Sequence, residues 1–175
     1  MSSALVVYES IFGDARKIAE AVALGLADRS DVDVVEASEA PTHIPYAVTL
    51  LVVGGPNHGL RMPRQSTRET AVDQYGVDIE DTRMGLHEWL DAVRLPAGVR
   101  AAAFDTRMDH PKALAALDHA SKTEEKLLKR HDATIIAPAE HFRVTGAEGP
   151  LADGEMERAV EWGRTLAGTL SPSAR

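Results

Sequence analysis

The chain has 175 residues, of which 44% are hydrophobic, and no cysteine. This composition suits one folded core and excludes disulfides, thiolate catalysis and cysteine-ligated metal sites. With 27 acidic and 19 basic residues, the net charge of −8 argues against a general nucleic-acid binder. No basic segment precedes the first apolar run, and no apolar run reaches membrane-spanning length, so we expect a cytoplasmic protein without a membrane span.

The first 40 residues predict a strand, a helix and a second strand. The run Ala4–Tyr8 is short, apolar and rich in β-branched residues, which is typical of a buried strand. A helix is predicted from about Gly13, because apolar residues then recur every three or four positions along one face. These residues are Ile18, Ala21, Val22, Gly25 and Leu26. Val32–Ala37 predicts the second strand.

From residue 48 onward, strands and helices keep alternating. The predicted strands are Val48–Gly55, Arg100–Phe104, Ala133–Ala137 and a short strand or extension at His141–Thr145. The predicted helices run from Ser66 to Gly76, over Leu86–Val93 and over Lys112–Arg130, and a final helix is capped by Asp153. The apolar face of this final helix contains Met156, Ala159, Val160, Gly163 and Ala167. Such alternation indicates an α/β fold, in which helices cover both faces of a parallel sheet. We predict one domain over residues 1–170 and a frayed tail over residues 171–175.

Three loops follow strands and should meet at the carboxyl edge of the sheet, where ligands bind in such folds. They are Glu9–Ala15, Pro56–Arg64 and Asp105–Pro111. A dinucleotide fingerprint, a Walker A loop and a nucleophile elbow are all absent, and the histidine spacing argues for no metal site. No side chain is identified as catalytic. The first loop suits an anion cradle, since Ser10 offers a hydroxyl and the helix N-terminus offers N–H groups. An ordinary strand–helix turn is the alternative interpretation.

The segment ALVVYESIFGDARKIAEAVALGL resembles the opening of flavodoxin-like proteins, in which a strand leads into a T/S-x-T-G-x-T phosphate loop and a helix. VVGGPNHGLRMP resembles the family's segment beside the flavin ring, and AAAFDTRMDHP lies where its third flavin loop is expected. The resemblance implies a three-layer sandwich with a five-stranded parallel sheet in the order 2-1-3-4-5. It also implies FMN as the cofactor.

Carried over to this chain, the resemblance implies a cofactor-binding set drawn from all three loops. The set is Ser10, Ile11, Phe12, Gly13, Asp14 and Ala15 from the first loop, Pro56, Asn57, His58 and Gly59 from the second, and Asp105, Thr106 and Arg107 from the third. His58 would stack on or hydrogen-bond to the flavin ring, or be a solvated loop residue. Asp105 would accept a hydrogen bond from a ring N–H, or cap its own loop. Trp89 and Trp162 are expected in the core.

The first loop departs from the family pattern at three positions. Phe12 and Ala15 stand where the family usually has threonine, and Asp14 stands where asparagine is frequent. A hydrogen bond to a charged group contributes roughly 1.5–3 kcal/mol, so each lost donor should lower FMN affinity about tenfold or more. The Asp14 carboxylate either repels the phosphate or acts as the N-cap of the helix and supplies the anion itself. We expect a phosphate site that is weakened but retained.

The function implied by the resemblance is an FMN-binding redox protein. It would serve as an electron carrier or as an FMN-dependent oxidoreductase, and whether it is an enzyme stays open. Its partner would be a redox protein or a small-molecule acceptor such as a quinone. The alternative is a degenerate flavodoxin-like domain that binds FMN weakly or not at all and acts through protein contacts. A phosphoacceptor receiver is rejected, because Glu9 stands alone after the first strand and Ala137-Pro138 supplies no lysine near the fifth.

Overall fold

The computed structural model describes residues 3–57, 61–109 and 120–170. Within these ranges, six strands and five helices follow one another along the chain. They are β1 Ser3–Tyr8, α1 Asp14–Leu26, β2 Asp31–Glu36, β3 Val48–Pro56, α2 Gln65–Tyr75, α3 Leu86–Ala92, β4 Arg100–Met108, α4 Ala120–Arg130, β5 Thr134–Ile135, β6 Glu140–Val144 and α5 Glu155–Leu170. Two predicted site residues, His58 and Gly59, lie outside the described residues, as do residues 112–119 of a predicted helix and the predicted tail.

The sheet is parallel and has the order β2-β1-β3-β4-β5, which confirms the predicted α/β fold and strand order. The sixth strand, β6, pairs with the same edge of β4 as β5 does. β5 pairs with the first residues of β4, Arg100 and Ala101, and β6 pairs with its last five residues. Thus β5 and β6 act as one edge strand that is interrupted at residues 136–139.

Helices cover both faces of the sheet and define two cores, because successive strand residues point to opposite faces. On one face, Val7 and Val53 pack with α3 and α4, and Trp89 is fully buried there, donating its indole N–H to the carbonyl of Pro41 at 3.1 Å. On the other face, Val6 and Val52 pack with α1 and α5. The core prediction for Trp89 is therefore confirmed.

Trp162 lies on the α1/α5 face and is half-buried. Its ring meets Phe104 and Phe142 edge-on, with centroids 6.4 and 6.1 Å away. The core prediction for Trp162 thus holds in part, since the indole packs on the core while one side of it meets solvent.

Helices α1 and α5 cross at close range through two glycines. A Cβ on Gly25 would overlap the carbonyl oxygen of Val160, and a Cβ on Gly163 would overlap that of Val22. Both helices follow strands of a parallel sheet, so both begin at its carboxyl edge. The close crossing therefore brings the loops in front of α1 and α5 together at that edge.

The predicted loop Asp105–Pro111 is wrong for residues 105–108, because β4 continues to Met108. The backbone of all four residues pairs with β6, and Asp105 and Thr106 also pair with Gly55 and Pro56 of β3 on the other side. Polar side chains made this stretch look like a loop, although Asp105 is 0% exposed.

Two predicted helix starts are also wrong by a residue or two. Helix α2 begins at Gln65 with Arg64 as its N-cap, and it ends as predicted at Gly76, whose φ of 64° is left-handed. Helix α5 begins at Glu155, so Asp153 does not cap it, and Met156 is 39% exposed instead of lying in the core. None of the helices within the described residues has both the length and the apolarity to cross a bilayer.

Candidate functional site

A cavity of about 240 Å³ opens at the carboxyl edge of the sheet, between the N-terminus of α1 and the ends of β3, β4 and β6. The structure brings eight of the predicted site residues into its wall. They are Ser10, Ile11, Phe12, Asp14, Ala15, Pro56, Asn57 and Thr106. The wall thus combines parts of all three predicted loops, which were separate in sequence.

Three predicted residues that the structure describes do not line this cavity. Gly13 lies inside the first loop, as the N-cap of α1. Asp105 and Arg107 flank Thr106 in strand β4, so their side chains point to the opposite face from that of Thr106. Asp105 instead bonds to Arg107 and His141 on the α3/α4 face, which separates it from this cavity.

The first loop is held in shape by a contact between its own residues. Gly13 has a φ of 97°, a left-handed conformation that favours glycine, and its N–H donates to the Ser10 hydroxyl oxygen at 3.1 Å. Asp14 is the first residue of α1. The interpretation of Asp14 as the N-cap is therefore wrong, because Gly13 occupies that position.

The Asp14 carboxylate is 7% exposed and contacts the loop that follows β6. It accepts a hydrogen bond from the backbone N–H of Leu151, and a Cβ on Gly149 would overlap its Oδ2 atom. Burial raises the pKa of Asp14, while Lys17, with Nζ 4.0 Å from Oδ1, and the Leu151 N–H act in the opposite direction. Asp14 thus fastens residues 149–151 beside the N-terminus of α1.

Four residues of the cavity wall lie outside the predicted cofactor-binding set, although one of them, Met108, belongs to the third predicted loop. They are Met108, Val144, Gly146 and Ala147. Val144, Gly146 and Ala147 belong to the end of β6 and its loop, which turns back so that the N–H of Thr145 donates to the carbonyl of Pro150 at 2.8 Å. The signal was the cluster of glycines and a proline after residue 145, which marks a tight turn.

A buried guanidinium anchors the start of the first loop from the other side. Arg68 is 1% exposed, and its Nε lies 2.5 Å from Glu9 Oε1 while Nη2 lies 2.8 Å from Glu88 Oε2. Glu9 also accepts the N–H of Leu86 at 2.9 Å. We call Glu9, Arg68 and Glu88 the Arg68 cluster. It joins the end of β1 to α2 and α3 directly before Ser10.

A second buried group of charges lies on the α3/α4 face, and we call Asp105, Arg107 and Glu124 the Glu124 cluster. Arg107 forms a two-point ion pair with Asp105, and His141 Nδ1 lies 3.2 Å from Asp105 Oδ1. Glu124 is 2% exposed, and within the described part of the chain its Oε2 has no hydrogen-bond partner. Burial, reinforced by Asp105 and Glu9, raises the pKa of Glu124 well above its ordinary value.

A larger cavity, of about 430 Å³, lies on the other side of the first loop and has an acidic wall. Its acidic residues are Glu9, Glu36, Glu39, Asp78, Glu80 and Asp81. Burial raises the pKa of Glu36, and neighbouring Glu39 and Glu9 add to that effect. Across residues 3–57, 61–109 and 120–170, no three acidic or histidine side chains are arranged to hold a metal ion.

Comparison with protein-family models and with curated proteins found no match. Solved structures do match. A flavodoxin from the domain Archaea is 18% identical, with 95% of this chain and 97% of that chain covered and a TM-score of 0.64. Oxidised flavodoxin 2 from Bacillus cereus is 16% identical, with 97% and 100% covered and a TM-score of 0.64. A flavodiiron core from Synechocystis is 14% identical, with 97% and 36% covered and a TM-score of 0.62. The chain has the flavodoxin-like fold.

Proposed function

We propose that this chain is a single-domain flavin-binding redox protein that takes FMN at the 240 Å³ cavity. The observation that carries the proposal is the position of the cavity, at the carboxyl ends of β1, β3 and β4 in a flavodoxin-like fold. Ligands of open parallel sheets bind at this edge. The flavin would supply one- or two-electron transfer, and the protein would serve as an electron carrier or an FMN-dependent oxidoreductase.

The residues of the wall suit a ligand that is apolar on one side and hydroxyl-rich on the other. Ile11, Phe12 and Pro56 exclude water, whereas Asn57 and Thr106 offer hydrogen bonds. The N–H of Asn57 donates to the carbonyl of Thr106 at 2.9 Å, which ties the ends of β3 and β4 together beside the cavity. These groups would bind and orient the flavin, and none of them is proposed as an acid, base or nucleophile.

The acidic cavity next to the first loop supports a redox protein with a basic surface as the partner. The chain carries a net charge of −8, and six acidic side chains surround that cavity. Opposite charges would steer a basic partner toward the loop edge, at a rate that falls as salt is added. A small-molecule acceptor such as a quinone would show no such dependence.

Absence of cysteine supports a cytoplasmic location.

The test is a titration of the purified full chain with FMN, followed by flavin fluorescence and absorbance, with FAD as the comparison ligand. We expect binding below about 1 mM FMN and weaker binding of FAD, because the first loop lacks the dinucleotide glycines. Ala147→Trp should fill the cavity mouth and weaken FMN binding by roughly tenfold or more, since Ala147 is exposed and lines the wall.

Glu148→Trp is the matched control, because Glu148 is the adjacent exposed residue and is not part of the cavity wall. It should leave FMN affinity nearly unchanged. No spectral change at near-millimolar FMN would contradict the proposal. That result would favour the second candidate, a degenerate domain that acts through protein contacts, which is supported by the buried carboxylate of Asp14 in the first loop.

A further inference from the structure

The charges around the 240 Å³ cavity are unusual for a phosphate site. Among the described residues of its wall, Asp14 is the one charged side chain, and no lysine or arginine of that wall faces it. Lys17, whose Nζ lies 4.0 Å from Asp14 Oδ1, has a side chain that is 58% exposed. A phosphate entering this cavity would therefore meet a buried carboxylate without a basic group in the wall to balance it.

Two positions of the first loop offer a phosphate no further donor. The N–H of Gly13 points to the Ser10 hydroxyl oxygen, and Ala15 has no hydroxyl to offer. The Asp14 carboxylate lies at the N-terminus of α1, where it interacts favourably with the positive end of the helix. The protein's own carboxylate thus lowers the attraction that this helix N-terminus would exert on a phosphate.

The remaining polar groups of the wall are neutral. Ser10, Asn57 and Thr106 offer hydroxyl or amide groups, which hydrogen-bond to the hydroxyls of a sugar-like chain without a requirement for charge. Apolar side chains such as Ile11 and Met108 complete the wall. This donor set matches the ribityl chain and ring of a flavin better than its phosphate.

We infer that this cavity binds a flavin without help from the phosphate, so that riboflavin binds at least as tightly as FMN. The inference rests on the proposed flavin site and names the ligand class more closely. It differs from the sequence-based expectation, in which the first loop keeps a weakened phosphate site. The structural reason is the Asp14 carboxylate, which is buried against residues 149–151 beside the place where a phosphate would lie.

The test is a pair of titrations of the full chain, with riboflavin and with FMN, each at low and high salt. We expect the dissociation constant for riboflavin to be equal to or smaller than that for FMN, with the gap narrowing at high salt because the repulsion is screened. A tenfold or greater preference for FMN would overturn the inference and leave the flavin site standing. Failure of both flavins to bind would overturn the proposed function and this inference with it.

Asp14→Asn gives a second, independent readout. Loss of the carboxylate should tighten FMN binding by roughly tenfold or more at low salt, while riboflavin affinity changes little, because only FMN carries the phosphate. Asp153→Asn is the matched control, since Asp153 is exposed in the same loop region and does not line the cavity. Equal changes for both flavins on Asp14→Asn would contradict the inference. Circular dichroism checks that each variant folds.

Discussion

The Arg68 cluster and the Glu124 cluster contain the same charged groups in different arrangements. Each has two carboxyl groups and one guanidinium, and the central residues Arg68 and Glu124 are both almost fully buried. In the Arg68 cluster, both carboxylates bond to the guanidinium. In the Glu124 cluster, the guanidinium of Arg107 bonds to Asp105 at two points, and within the described residues Glu124 Oε2 has no hydrogen-bond partner.

The difference shows that two buried sites with the same number of charges can differ in how fully hydrogen bonds satisfy those charges. A charge in a low-dielectric interior persists only where bonds replace its lost hydration. Glu9 has such bonds, from Arg68 and from the Leu86 N–H. For Glu124, burial raises the pKa, and the charges of Asp105 and Glu9 add to that effect. The Arg68 cluster therefore satisfies its buried charges with hydrogen bonds, whereas burial in the Glu124 cluster favours the protonated carboxyl of Glu124.

Removal of Arg68 should give the largest effect. Arg68→Ala leaves Glu9 and Glu88 without their shared cation, and Glu9 is buried, so we expect a loss of about 3–5 kcal/mol in the free energy of unfolding. Urea denaturation at neutral pH measures it. Arg83→Ala is the control, because the ion pair of Arg83 with Asp81 is on the surface, and it should leave the midpoint nearly unchanged. Similar midpoints for the two variants would contradict the role given to the Arg68 cluster.

Another buried carboxylate, Glu155, sharpens the comparison on the opposite face. Glu155 is 3% exposed like Glu124, but it accepts bonds from Arg158 Nη2 and the Arg143 N–H, both at 2.7 Å. Although burial acts to raise its pKa, these bonds lower it. Its stabilising contribution is therefore present above the ordinary pKa of 4.5 and is lost as the pH falls through the lowered value.

Glu155→Gln should cost roughly 1.5–3 kcal/mol at neutral pH, because the variant loses hydrogen bonds to a charged group. The cost should shrink as the pH falls below the ordinary pKa of Glu155, because the unfolded wild-type chain then binds a proton that the folded wild type does not yet bind. Glu157→Gln, at an exposed position of the same helix turn, is the control. Thermal melts across the acidic range give the measurement, and a cost that is independent of pH would argue against an ionised Glu155.

Glu124→Gln should change the free energy of unfolding least at low pH and by a growing amount as the pH rises. The folded protein holds the Glu124 proton more tightly than the unfolded chain, so this stabilisation is complete below the ordinary pKa of 4.5 and is lost as the pH rises through the raised value. The wild type should lose at most about 1.4 kcal/mol per pH unit from this group. Groups that act on Glu124 are Asp105, Glu9, Arg107 and Glu125.

Glutamine resembles the protonated acid, so the free energy of unfolding of Glu124→Gln should not fall with rising pH as that of the wild type does. The variant should therefore become more stable than the wild type toward alkaline pH. Urea denaturation of both proteins from pH 5 to 9, roughly the range in which folded proteins are most stable, gives the two free energies of unfolding. Their difference at each pH isolates the contribution of Glu124 from those of other titrating groups. Glu157→Gln again serves as the control. Parallel curves for the wild type and Glu124→Gln would show that Glu124 is ionised in the folded protein.

Apolar spacing predicted the fold because strands and helices in this chain bury their faces in the usual way. The strand order followed from the resemblance and was confirmed. Spacing could not predict that β4 extends through Asp105, since a buried aspartate in a strand depends on Arg107 and His141, and the contact with His141 forms only in the folded chain. Apolar spacing likewise does not mark Arg68, which is 1% exposed and anchors the first loop.

For the candidate site, the first loop and Thr106 were found from sequence because both come directly after predicted strands, although Thr106 itself lies within β4. The loop after β6 was missed, because its place beside Asp14 results from the close crossing of α1 and α5. That crossing depends on Gly25 and Gly163, which lie far apart in sequence. The apolar pattern of a helix predicts that a glycine on that face is buried, but it does not predict which other helix packs against the glycine.

The interrupted strand pair β5 and β6 has a consequence for aggregation. β5 has only two residues, and Pro138 in the gap before β6 has no N–H to donate, so this lateral edge offers a poor template for an added strand from another molecule. On the opposite edge, β2 exposes Asp31 and Asp33, and negative charge repels a second copy of the same edge. Both edges of the sheet thus disfavour the addition of strands from other copies of the chain, which is how fibres grow.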